Sequence, residues 1–210
     1  MKVLVGSGII VIIALGAMLF LEPWAIGRAK ALEGEGKSDE EITFLREAET
    51  MMPWSGGVAG RLDDALLRRI EQGLQADRLD VAARGFREAW PRMKARGKAQ
   101  DERVLTLAVT TFARGSDRLR RQGRLDLAAD FNDSLFAYAV RAPDPIHRHA
   151  ALQAFTEGLN LRVQAGNPCA ALARVEWAKR GLGGVVPGMD PSIEHSLEAQ
   201  CARQRRLEAR

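Results

Sequence analysis

Two stretches of this chain are copies of one pattern. Residues 112–128 read FARGSDRLRRQGRLDLA, and residues 155–171 read FTEGLNLRVQAGNPCAA. Both follow Phe-x-x-Gly-x7-Gly-x4-Ala: Phe112, Gly115, Gly123 and Ala128, then Phe155, Gly158, Gly166 and Ala171, every element displaced by 43 residues. A weaker copy lies upstream, where RLDVAA (Arg78–Ala83) returns as RLDLAA (Arg124–Ala129) after 46 residues. Self-similarity at a period of about 20–50 residues predicts a solenoid, in which a repeat buries its apolar face only by stacking on its neighbours.

The repeats are rich in Ala, Leu and Arg, with aromatics at only 6% of the chain, so the repeating unit is expected to be helical. Apolar spacing outlines three hairpins. The first pairs Val58–Leu74, with Leu62, Leu66, Leu67 and Ile70 in register, and Leu79–Trp90, which Pro91 is expected to end or kink. The second pairs Asp101–Arg121 with Leu125–Arg141 around Gly123; the third pairs Pro145–Val163 with Pro168–Arg180 around Gly166-Asn167. Pro145 and Pro168 each suit the first turn of a helix. After the Gly-rich loop 181–190, Pro191 starts a final helix ending RQRRLEAR, polar enough to cap a stack.

Ahead of the hairpins, residues 3–21 (VLVGSGIIVIIALGAMLFL) contain no charge. Nineteen residues at about 1.5 Å rise match a hydrocarbon core of about 30 Å, so the run is expected to be a transmembrane helix with Pro23 and Trp24 at its interface. A secretory signal peptide fits less well, because the run is too long and the nearest small-x-small site, Ala29-x-Ala31, lies beyond Arg28. A dinucleotide-binding turn at KVLVGSG fails because Val11 stands where the third glycine belongs. Ser38 and Glu41 are spaced as a capping box opening a short helix to about Thr50, and Met51–Gly57 reads as a connector that packs down around Trp54. The expected organisation is an anchor over 1–27, a juxtamembrane helix and linker over 28–57, and a helical-repeat domain over 58–210. The fold class is all-α.

The hairpins resemble the tetratricopeptide (TPR) repeat. That family sets a small residue, a large aromatic and another small residue at spacings of four and three on its second helix. Ala82, Phe86 and Ala89 match this fully, and Ala171, Val175 and Ala178 match in size. The middle hairpin departs, since Ala128 is followed by Asn132 and Leu135 with Phe131 displaced by one. Gly115 and Gly158 also fall where the family carries leucine, and the spacing is longer than the family's. The resemblance implies a TPR-like α-solenoid over residues 58–181 whose first helices line a partner-binding surface. Carried over position by position, that surface comprises Asp64, Leu67, Glu71 and Leu74, then Thr110, Asp117 and Arg120, then Gln153, Thr156 and Asn160. It further implies a likeness to anchored TPR accessory proteins of bacterial export and envelope assembly. The expected function is therefore a protein-interaction scaffold at a bacterial inner membrane. A permanent structural subunit, held through its membrane helix, is the alternative.

No catalytic constellation is expected, and neither is a cofactor or metal. His147 and His149 are two apart, unlike the i, i+4 pair that binds metal, and His195 stands alone. Asp63-Asp64 and Asp39–Glu41 read as acids that start helices, favoured there by the macrodipole. Arg114, Arg118 and Arg121 share a helical face and could meet anionic lipid or an acidic partner; lacking interleaved aromatics, they do not point to nucleic acid. Lys2 stands before the apolar run and Arg28, Lys30 and Lys37 after it, a count that by itself mildly favours a cytoplasmic domain, against the reading from the cysteines. Cys169 and Cys201 stand at similar distances from the 181–190 loop, so an antiparallel pair of helices would bring them level. The expectation is a Cys169–Cys201 disulfide, which would place the domain in the periplasm; two small buried thiols are the alternative.

Overall fold

The computed structural model describes residues 20–209, where all regular structure is helical. In chain order the helices are α1 (20–34), α2 (Ser38–Met51), α3 (Gly56–Gln75), α4 (Leu79–Ala95), α5 (Glu102–Arg121), α6 (Leu125–Ala139), α7 (Pro145–Gln164), α8 (Pro168–Leu182) and α9 (Pro191–Glu208). The all-α expectation holds. The charge-free run 3–21 lies outside the described residues except for Phe20 and Leu21, and among the described residues no helix is long and apolar enough to cross a membrane. The chain divides into two compact units within α3, after Gln72.

In the first unit α1, α2 and most of α3 bury Ala25, Ala29, Leu32, Ile42, Leu45 and Leu62. The buried acid Glu41 on α2 stands in this core with Arg61 at 3.1 Å and Arg68 at 2.8 Å, and Glu33 of α1 pairs with the same two arginines. A buried carboxylate is tolerable only when paired. This corrects the capping-box expectation: Ser38 is the first helical residue, caps nothing, and instead donates to Gln72 Oε1 at 3.1 Å. Likewise α3 begins at Gly56 with no acid in its first turn, and Asp63 is buried. In the α2–α3 connector Met52 packs down, but Trp54 stays 57% exposed.

The second unit is a run of antiparallel helices, each packed on the next from α4 to α9, with α5 and α7 also side by side. Its turns explain the repeated glycines at 123 and 166. Both have positive φ (+72° and +82°), and the flanking bonds Arg124 N→Leu119 O (2.9 Å) and Asn167 N→Arg162 O (2.8 Å) satisfy the last carbonyls of α5 and α7. That is the helix-ending motif in which only a residue without a Cβ sits comfortably. The other repeated glycines act in mid-helix. A Cβ on Gly115 would lie 2.4 Å from the Phe131 ring of α6, and one on Gly158 would lie 3.2 Å from Asn132 Cβ on the same helix. The motif therefore marks where α6 approaches α5 on one side and α7 on the other.

Rings fill what the glycines leave. Phe112 is fully buried and meets Phe86 of α4 and Phe131 of α6 at 5.6 Å each and Tyr138 at 5.1 Å; Phe155 stacks on Phe136 at 4.4 Å. The small positions of the second helices, Ala82, Ala89, Ala128, Ala171 and Ala178, are all buried. Pro91 does not end α4, which continues to Ala95. Proline removes one donor, but burial of Met93 rewards one more turn. At the far end Cys169 of α8 and Cys201 of α9 form a disulfide, with Cα atoms 4.6 Å apart.

A polar lock holds α6, α7 and α8 together. Arg162 of α7 is buried and donates to Asp133 Oδ2 at 2.7 Å and Asp130 Oδ1 at 2.8 Å, while Arg174 of α8 reaches Asp133 at 2.9 Å. Burial pushes the Asp133 carboxyl above its ordinary range, against the pull of both guanidiniums.

Phe112→Ala is expected to cost about 3–5 kcal/mol, because the ring it removes touches α4 and α6 at once. Gly115→Ala gains up to about 1 kcal/mol of helix propensity but must displace the Phe131 ring, an overpacking cost of about 1–3 kcal/mol. Urea unfolding should therefore show Phe112→Ala as the severe lesion and Gly115→Ala as a milder loss. A loss below about 1 kcal/mol for Phe112→Ala would contradict this packing.

Candidate functional site

The closest candidate for a binding site lies between α5 and α7, over α6. It is a cleft of about 210 Å³ whose walls include Val109, Asp117 and Arg120 from α5 and Gln153 and Glu157 from α7, with Asn132 and Leu135 of α6 also lining it. The spacing 109, 113, 116, 120 on α5 and 150, 153, 157 on α7 is the 3.6-residue period of one helical face. Two first helices running side by side thus bring together polar residues from separate repeats.

Charge is ordered along the rim. Arg120 donates to Asp117 Oδ1 at 2.8 Å along α5 and reaches Glu157 Oε1 at 3.6 Å across the cleft. The hydrogen bond from Arg120 holds the Asp117 carboxyl below its ordinary range, and Asp117 together with Glu157 holds the Arg120 guanidinium up. Lower in the cleft stands Asn132, only 2% exposed, whose Nδ2 has no hydrogen-bond partner. Thr111 Oγ1 is also unpaired but does not line the cleft. A buried amide hydrogen without an acceptor costs about 1–3 kcal/mol, so Asn132 is held at the expense of stability.

The sequence-derived surface divides on burial. Asp117, Arg120 and Gln153 line the cleft. Thr110, Thr156 and Asn160 lie on the same two helices with some exposure but outside its lining, and Thr156 Oγ1 is engaged with Leu152 O at 3.2 Å. Asp64 is exposed and Glu71 half-buried on α3. Leu67 and Leu74 require correction: at 6% and 8% exposure they are core residues, because the apolar stripe of α3 takes them inward. Asn132 and Glu157 were not singled out by sequence. Asn132 had a signal, since it occupies the position where the repeat pattern expects a large apolar residue.

The arginine face on α5 is largely compensated. Arg114 pairs with Asp77 at 3.1 Å, Arg118 pairs with the same carboxylate and donates to Asp77 O at 3.0 Å, and Arg121 pairs with Asp117. Asp77 sits at φ +54° in the α3–α4 turn, and the two guanidiniums hold it there. His147 belongs to a helix start, with its backbone N–H donating to Asp144 Oδ2 at 3.2 Å. Among the described residues no group of His, Cys, Asp or Glu is placed to hold a metal ion.

Asn132→Ala is expected to change the unfolding free energy by no more than about 1 kcal/mol, since lost packing is offset by removal of an unpaired polar group. Chemical denaturation of the unbound protein checks this. A loss near the 3–5 kcal/mol of a core deletion would show the amide to be structural.

No protein-family model, curated protein or solved structure matches this chain, so the site is read from its own geometry.

Proposed function

We propose that this protein is a membrane-anchored, TPR-like scaffold that recruits or steadies a protein partner through the α5–α7 cleft. The observation that carries the reading is the cleft itself, rimmed by Asp117, Arg120, Gln153 and Glu157 from two separate repeats. The exposed Gln153 amide and the rim charges suit a partner that supplies backbone carbonyls and charged side chains. The arrangement favours binding over catalysis, for its residues are donors and ion pairs rather than a nucleophile beside a base.

Anchoring is supported at the other end of the chain. The charge-free run 3–21 leads into α1, where Phe20 is 79% exposed and Trp24 is also exposed. Within the same unit Met51 is exposed at the end of α2 and Trp54 in the α2–α3 connector, and Glu22 and Ile26 of α1 crowd Gly57 just beyond it. One end of that unit thus presents apolar and aromatic side chains, the composition of a bilayer interface. The Cys169–Cys201 bond supports a soluble domain on the oxidising, periplasmic side of a bacterial inner membrane. A permanent structural subunit is the second reading, favoured by the same apolar end, which could bury against a neighbouring membrane helix.

The test swaps the rim charges. Asp117→Arg with Arg120→Glu should weaken partner recovery in a detergent pull-down about tenfold while leaving the thermal midpoint unchanged, because both groups are solvent-screened surface ions. Alkaline carbonate extraction of the same membranes should leave the chain in the pellet. Unchanged recovery argues against the cleft, and release into the supernatant argues against the anchor.

A further inference from the structure

A second groove, of about 320 Å³, lies between the C-terminal parts of α4, α6 and α8. It follows from the packing. Whereas α5 and α7 run side by side, no comparably close backbone approach joins α4, α6 and α8 among the described residues. Rings bridge the gap instead: Trp90 and Tyr138 have centroids 4.7 Å apart, and Phe136 and Trp177 are 5.9 Å apart. Phe136 is buried, while Trp90, Tyr138 and Trp177 are each half-exposed to the groove.

The rim is cationic. Lys94 and Arg141 stand exposed along the groove, and no acidic residue lines it. Elsewhere in this unit arginines find carboxylates, as at Asp77, Asp117 and Asp133. Lys94 has no ion-pair partner among the described residues, and Arg141 spends one guanidinium nitrogen on the Gly181 carbonyl. The indole N–H groups of Trp90 and Trp177 are likewise without acceptors among the described residues. Half-buried aromatics ringed by unengaged donors and unpaired cations have the composition of an interface core awaiting an anionic, apolar occupant.

We propose that this groove docks an acidic peptide segment of a partner protein. A large apolar side chain of the peptide seats between Trp90, Tyr138 and Trp177, and carboxylates beside it meet Lys94 and Arg141. Idle indole N–H groups and the Gln100 amide at the rim suit backbone carbonyls, which a hydrocarbon chain lacks. This site is separate from the α5–α7 cleft and does not depend on it.

The experiment uses the full chain in phosphatidylcholine nanodiscs, labelled with 5-fluorotryptophan, the Trp90 and Trp177 resonances being assigned from Phe variants. The probe is a synthetic peptide, acetyl-Asp-Glu-Asp-Leu-Phe-Asp-Glu-Asp-amide. It should shift both resonances saturably, whereas a counterpart with Lys in place of the acids, or Ala-Ala in place of Leu-Phe, should not. Lys94→Glu with Arg141→Glu should weaken binding about tenfold, as two partly screened ion pairs would. Asp117→Arg with Arg120→Glu should leave it unchanged, which separates this site from the cleft. Absence of shifts, equal binding by the Lys94→Glu/Arg141→Glu protein, or displacement of the peptide by sodium laurate at lower concentration than the peptide itself requires would overturn the proposal, the last in favour of a lipid.

Discussion

Helix α6 lies against two neighbours so closely that a Cβ at the contact would displace the Phe131 ring on one side and press on Asn132 on the other. Gly115 gives the Phe131 ring its space on the α5 side, and Gly158 admits Asn132 on the α7 side. Everything else in the second unit is arranged by that double approach. It sets Phe112 where one ring can touch α4 and α6, and it brings Phe136 onto Phe155. It also sets α5 beside α7, which opens a cleft over α6, while α4 and α8 are bridged to α6 by rings across a groove. Two surfaces of different chemistry come from one packing constraint.

The buried carboxylates Glu41 and Asp133 follow a single rule. Glu41 is paired with Arg61 and Arg68, and Asp133 with Arg162 and Arg174, so the charges removed from water are compensated by geometry. Removing one partner of such a pair typically costs about 3–5 kcal/mol, which makes these pairs fixtures of the fold. Asn132 Nδ2 and Thr111 Oγ1 are neutral exceptions, each buried without a hydrogen-bond partner, and the packing around α5 and α6 outweighs their cost.

Much of this was legible in the sequence, and the failures have physical causes. The repeat announced the hairpins because Phe112, Gly115, Gly123 and Ala128 each perform a local task that recurs 43 residues later. Pro91 does not end α4, contrary to one half of the end-or-kink expectation, because the burial of Met93 beyond it favours a further turn. Leu67 and Leu74 misled because a family surface was copied by position, although large apolar side chains on an amphipathic helix face inward. Glu157 was invisible because its role arises only when α7 is set beside α5, a relation between repeats that no local pattern encodes. Asn132 was visible as a departure from the pattern, and the departure proved more informative than the matches.

Site-specific photo-crosslinking tests the central claim most directly. Benzoylphenylalanine placed at Gln153, exposed on the cleft rim, is expected to give a discrete covalent adduct with one partner polypeptide in intact cells, while the same probe at exposed Ala170 on α8 gives none. Equal adducts from both positions, or none from Gln153, would contradict the proposal that the α5–α7 cleft is a partner-binding surface.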